Sequence, residues 1–274
     1  MCRPDGRHVL NNQGTDDYVL TKKEVTTRVE KELFWKREVN EIDEGVKMKL
    51  ENLGVTNINI KILSPRFLRE VADSIESMYE EFPEIKGFVT SIQEADLRKG
   101  SLACTGPHLT EDGFQGAEIL FSKDFFSKSN YGLKIVDLDT SVNWRGERWL
   151  AGLGSKGVIN HEIAHAMALK VNAQSAGVEI GEKDKEKIAN MQGLYGRDAT
   201  IISLCYDSLK EAGISPKDIG RELSTYGATG FGETFAECIA EVQTRRNPRL
   251  YARTVYNNYK TMIETSKGES KEVA

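Results

Sequence analysis

Gly157-Val-Ile-Asn-His161-Glu162-Ile-Ala-His165-Ala-Met-Ala-Leu169 reads His-Glu-x-x-His inside a run of helix formers. At 3.6 residues per turn, His161 and His165 stand one above the other on a single helix face. Two imidazoles placed this way can hold one metal ion at roughly 2.0–2.1 Å each. Glu162 lies about 100° round the helix from His161, beside a water on that metal, where it suits a general base. The chain has four histidines and two of them fall here. The plain alternative is a helix whose histidines are merely exposed or capped.

A catalytic zinc usually takes three protein ligands and keeps one position open. Gly232-Glu233-Thr-Phe-Ala-Glu237-Cys-Ile-Ala-Glu241 repeats glutamate every four residues, which aligns three carboxylates on one helix face. The opposite face (Phe235, Ala236, Ile239, Ala240) is apolar, so the helix packs and its acidic face looks towards something specific. Glu233 is the favoured third ligand, with Glu237 the other candidate. One turn further on, Glu237 also suits a supporting role, because a metal-bound imidazole normally donates its second N–H to a carboxylate or carbonyl. Glu241 reads as a surface residue.

Ser224-Thr-Tyr226-Gly-Ala-Thr-Gly-Phe-Gly-Glu233-Thr-Phe-Ala-Glu237, paired with His161-Glu-Ile-Ala-His165, resembles the signature of anthrax lethal factor-like gluzincin peptidases. The match is specific over 157–170 and 224–240 and loose across about 60–265. It implies a zincin domain in which Glu233 completes a two-histidine, one-glutamate Zn2+ site and Glu237 supports a histidine. It also implies that Tyr226 turns its hydroxyl towards the substrate carbonyl; from the residues alone Tyr226 is a turn or core residue. The stretch between His165 and Glu233 is longer than in lethal factor itself. Related zincin domains occur in phage minor head proteins and polymorphic toxins.

Working outward, the expected fold class is α+β: a zincin-like metallopeptidase domain with a small mixed sheet, the motif helix and a C-terminal helical part, preceded by a helical arm. The expected boundaries are 1–55 for a polar N-terminus and charged arm, 56–265 for the domain, and 266–274 for a frayed tail. In the arm, Trp35, Val39, Ile42, Val46, Leu50 and Leu53 form one apolar stripe, with a bend near Phe34. The arm docks on the domain or serves an assembly partner. Asn57–Ile62 alternates as a strand. Ser64-Pro65 opens a helix with the stripe Phe67, Leu68, Val71, Ile75, Met78 and Tyr79, which ends before Pro83. Gly87–Ile92 is a second strand, Thr105–His108 a loop, Gly116–Phe121 a third strand and Lys134–Leu138 a fourth.

Zincins align an extended substrate on an edge strand, and Gly116–Phe121 stands in the right order for that. Ile119 and Leu120 are then substrate-binding residues; interior sheet is the equal alternative. The motif helix runs to about Val171, a solvated loop and short helix occupy 172–197, and helices follow over 198–212, 233–244 and 248–265.

A formal charge of −5 gives no electrostatic case for nucleic acid or an anionic membrane, and Arg245–Arg249 reads as a solvated turn. Cys2, Cys104, Cys205 and Cys238 are too scattered for a zinc module or disulfide framework, so buried free thiols are expected. No Sec-type signal or long apolar run is evident. A soluble protein is expected: cytoplasmic, in a phage particle, or delivered by a non-Sec route. The leading functional expectation is a zinc endopeptidase acting on peptide or protein substrates. The alternative is a phage or mobile-element structural protein with a self-processing or non-catalytic zincin domain.

Overall fold

In the computed structural model the described residues are 44–131, 146–194 and 197–272, with side chains to 265. In chain order they form α1 (Glu44–Asn52), β1 (Asn57–Asn59), α2 (Pro65–Glu81), β2 (Val89–Ala95), β3 (Ala103–Thr110), β4 (Gly113–Ser122) and α3 (Lys123–Phe126). There follow α4 (Gly154–Ser175), α5 (Lys185–Gly193), α6 (Ala199–Ala212), α7 (Ile219–Glu222), α8 (Phe231–Thr244) and α9 (Leu250–Glu272). Trp35, Val39, Ile42, the bend near Phe34 and the strand expected at Lys134–Leu138 lie outside the described residues.

The four strands make one mixed sheet in the order β1-β2-β4-β3, with β1, β2 and β4 parallel and β3 antiparallel to β4. This corrects the reading of Gly116–Phe121 as an edge strand: β4 carries a neighbour on each side. Among the described strands the edges are β1 and β3, and β3 occupies the stretch expected to be a loop. Gly106 and Pro107 are poor strand formers, and a proline without an N–H fits a sheet only at its edge. The first strand is also shorter than its alternation suggests. Glu94 Oε2 accepts the amides of Lys61 (2.9 Å) and Ile62 (2.8 Å) and so draws them out of the ladder.

The apolar stripe of α2 is buried as its spacing predicts. Phe67 stacks on Phe126 at 4.1 Å and meets Phe121 edge-on at 4.9 Å, locking α2 against β4 and α3. From α1, Val46 and Leu50 enter the same core, while Lys49 reaches Asp73 (2.8 Å) and Glu76 (2.6 Å) on α2. The end of the charged arm, from Glu44, therefore docks on the domain.

Helix α4 lies between two layers, with α2, β3 and β4 on one side and α8 on the other. It is buried nearly all round from Ser155 to Ala173, which explains its lack of a single apolar stripe. Close packing at its start depends on Gly157: a Cβ there would come within 2.7 Å of the Gly152 backbone. Beyond it, α8 packs on α9 and both on α6. Helix α6 is capped by Asp198, which accepts the amides of Thr200 and Ile201, and is closed by Gly213 at φ 68°. Helix α4 continues past Val171 to Ser175, and α9 runs to Glu272 where a frayed tail was expected from Ser266. Among the described residues no helix is long and apolar enough to cross a membrane.

Candidate metal centre

Successive turns of α4 carry His161 and His165, whose rings meet edge-on with centroids 4.6 Å apart. The first turn of α8, packed against α4, brings Glu233 to them. His161 Nε2 and His165 Nε2 are 3.0 Å apart, and Glu233 Oε2 stands 3.1 and 3.2 Å from them. The three donor atoms thus form a near-equilateral triangle, the one metal-competent cluster among the described residues. A tetrahedral ion with bonds of roughly 2.0–2.1 Å spaces adjacent donors at about 3.3 Å, so the triangle fits zinc after a slight expansion. Two imidazoles and a carboxylate are also the donor types that zinc takes.

Behind the triangle, His161 Nδ1 lies 2.7 Å from Oε1 of Glu237, close but off the line of the ring N–H. Glu237 is 1 % exposed and held from its other oxygen, which accepts from Ala151 N and from Ser224 Oγ at 2.8 Å. Burial alone would lower the His161 pKa, but Glu233 and Glu237 outweigh it and raise the ring to about 10 in the metal-free protein. Burial likewise pushes Glu233 up, and the two histidines reverse it, holding the carboxyl well below the usual range. The pocket is therefore built to attract positive charge.

Glu162 is buried on the face of α4 turned to β3, where the Thr105 hydroxyl donates to its Oε2 at 2.6 Å. Tyr226 sits on a turn pinned at several points. Its amide donates to Trp149 O (3.1 Å), Gly227 N donates to Ser224 Oγ (2.9 Å), and Thr234 Oγ1 donates to Gly227 O (2.7 Å). Its ring lies 5.6 Å from that of His161 and 6.3 Å from that of Trp149. Burial first, then the carboxylates of Glu233, Glu162 and Glu237, pushes its phenol pKa up, so the hydroxyl keeps its proton. A cleft of about 590 Å³, part of it open to solvent, joins these groups to Leu102, Ala103, Trp149 and Val158.

His161, Glu162, His165, Tyr226, Glu233 and Glu237 are thus brought together, whereas Ile119 and Leu120 are not. Ile119 is fully buried in the core, Leu120 lies opposite Cys104 in the ladder, and neither lines the cleft. Thr105, Ser224 and Trp149 were missed. A proline-containing edge strand hides Thr105, and nothing local marks Ser224 as the partner of Glu237. Glu241 corrects a further expectation: it is fully buried and gripped by Arg249 through Nε (2.9 and 3.0 Å) and Nη2 (2.5 Å). Arg245 Nε donates to Ala151 O at 2.7 Å, so Arg245 and Arg249 brace the site, while Arg246 and Asn247 between them form the exposed bend that was expected. Cys205 and Cys238 are buried free thiols as expected, but Cys104 is exposed on β3.

Comparison with protein-family models, with curated proteins and with solved structures yields no match to this chain.

Proposed function

We propose that this chain is a zinc-dependent endopeptidase of the lethal factor-like gluzincin type. The observation that carries the reading is the 3.0–3.2 Å triangle of His161, His165 and Glu233 with Glu162 beside it. A structural zinc site is normally closed by a fourth protein ligand; this one offers three donors and a carboxylate suited to proton transfer.

Zinc, when bound by His161, His165 and Glu233, supplies Lewis acidity towards a carbonyl and acidifies water. The remaining chemistry belongs to the chain. Glu162 accepts the proton of the attacking water and returns it to the leaving amine. Thr105 fixes one oxygen of that carboxylate by its 2.6 Å hydrogen bond and leaves the other for the proton. The Tyr226 phenol, protonated at neutral pH, donates a hydrogen bond to the oxyanion. Glu237, anchored by Ser224 and Ala151, keeps the His161 ring in place. Among the described residues β3 has an unpaired side, and it runs along α4, so an extended peptide adds to it by main-chain hydrogen bonds. That role falls to β3 in place of the strand carrying Ile119 and Leu120.

The test combines metal analysis with a peptide-library digest. About one zinc per chain, lost in His161→Ala, together with cleavage that Glu162→Ala abolishes, is the expected result. Zinc-loaded protein that cleaves no peptide overturns the reading.

A further inference from the structure

A second hollow, of about 740 Å³ and open to solvent, lies on the other flank of the triad. It shares no lining residue with the cleft that holds Glu162 and Tyr226, yet both reach the donors: His161 lines the cleft, and His165 with Glu233 line the hollow. A chain crossing the triad therefore meets one on each side.

Its walls are apolar, from Ala168, Ile201 and Ile202. Two of its polar side chains, Asn172 and Asp198, bring acceptor oxygens. Asn172, on α4 beyond His165, is 2 % exposed, and its Oδ1, shielded from solvent, has no hydrogen-bond partner among the described residues. Asp198 is 5 % exposed; its Oδ1 takes the amides of Thr200 (2.8 Å) and Ile201 (3.3 Å) as the cap of α6, which leaves Oδ2 for another donor. No lysine or arginine lines the hollow among the described residues. A buried amide oxygen without a donor is unfavourable, and a ligand that brings a donor removes the penalty.

We propose that this hollow is a subsite for a lysine or arginine side chain of the substrate. The methylenes lie along Ile201 and Ile202, and the cationic end reaches Asp198 Oδ2, with Asn172 turning its shielded Oδ1 to the same charge. A neutral donor gains less from Asp198, and an anionic side chain is repelled by it. Calling the hollow a substrate subsite rests on the peptidase reading, because the neighbouring triad gives it that place.

The zinc-loaded protein is titrated calorimetrically with lysine hydroxamate and with norleucine hydroxamate. The two probes share the metal-binding group and the four-carbon side chain and differ in the terminal ammonium. The lysine compound should bind on the order of tenfold more tightly, as a partly buried charge-assisted hydrogen bond provides. Asp198→Asn should abolish that preference while keeping α6 folded, since asparagine caps helices as well as aspartate does; Asn172→Leu should weaken it. Equal affinities, no binding of either compound, or a preference that survives Asp198→Asn overturns the proposal. Peptide-library products are scored separately. Cleavage with no basic residue enriched at any position overturns the subsite and spares the peptidase reading. A lysine preference without any cleavage overturns the peptidase reading and keeps the cation pocket.

Discussion

Thr105, on the edge strand, donates a 2.6 Å hydrogen bond to Oε2 of Glu162, on the motif helix. One bond thus ties the sheet edge proposed to hold substrate to the carboxylate proposed to move protons. Thr105→Val should lower kcat by roughly tenfold or more without loss of zinc, as removal of an orienting partner does, while Thr105→Ser should restore most of it. Steady-state kinetics with metal analysis of each variant decides; unchanged kcat in the valine variant makes the bond incidental.

Metal uptake should displace a proton. The metal-free His161 ring, raised from 6.5 to about 10 by the neighbouring carboxylates, is protonated at neutral pH. Zinc must expel that proton, so affinity should climb as pH rises towards about 10. The metal-free fold should follow the matching sign: this group's stabilisation is complete below 6.5 and is lost as pH rises through about 10. Zinc titrations in buffers of different ionisation enthalpy measure the release, and heats that do not change with buffer contradict it.

Ser224 should matter to the metal although it touches none. It is fully buried and donates to Glu237 at 2.8 Å. Ser224→Ala should weaken zinc binding by about tenfold, the scale seen when a ligand's supporting partner is removed. A competition assay with a chromogenic chelator reads this directly, and wild-type affinity would assign Ser224 to the turn alone.

Tyr226→Phe should reduce turnover by about a hundredfold if the phenol bears oxyanion charge, with zinc content and KM little altered. Loss of zinc in that variant would instead make the ring, tilted against His161 at 5.6 Å, a packing element.

Glu241→Ala leaves Arg249 beside a buried void in the bracing of α8. Removing one partner of such a pair costs about 3 kcal/mol, visible as a lower Tm and denaturation midpoint. Replacing both, by Glu241→Leu with Arg249→Met, should recover much of the loss.

Several features were legible because they are local. The spacing of His161 and His165 fixes their common face whatever surrounds the helix, and the four-residue repeat of Glu233, Glu237 and Glu241 does the same on α8. Ser64-Pro65, Asp198 and Gly213 mark helix ends by the backbone conformations they favour, and those ends stand where expected. The mixed α+β class follows from the same periodicities.

The rest depends on which surfaces meet. Sheet order is set by contacts between residues far apart in sequence, so alternation in Gly116–Phe121 marks a strand but not its place. Only the fold puts Ile119 in the core and Thr105 at the edge. Likewise the row of three glutamates on α8 is alike in sequence and unlike in space: Glu233 meets both histidines, Glu237 backs one of them, and Glu241 is closed by Arg249. Helical spacing determines that those carboxylates share a face. The packing of α8 against α4 decides what each one touches, because a side chain's partner across an interface is fixed by the depth and angle of contact, and neither is written in any single segment.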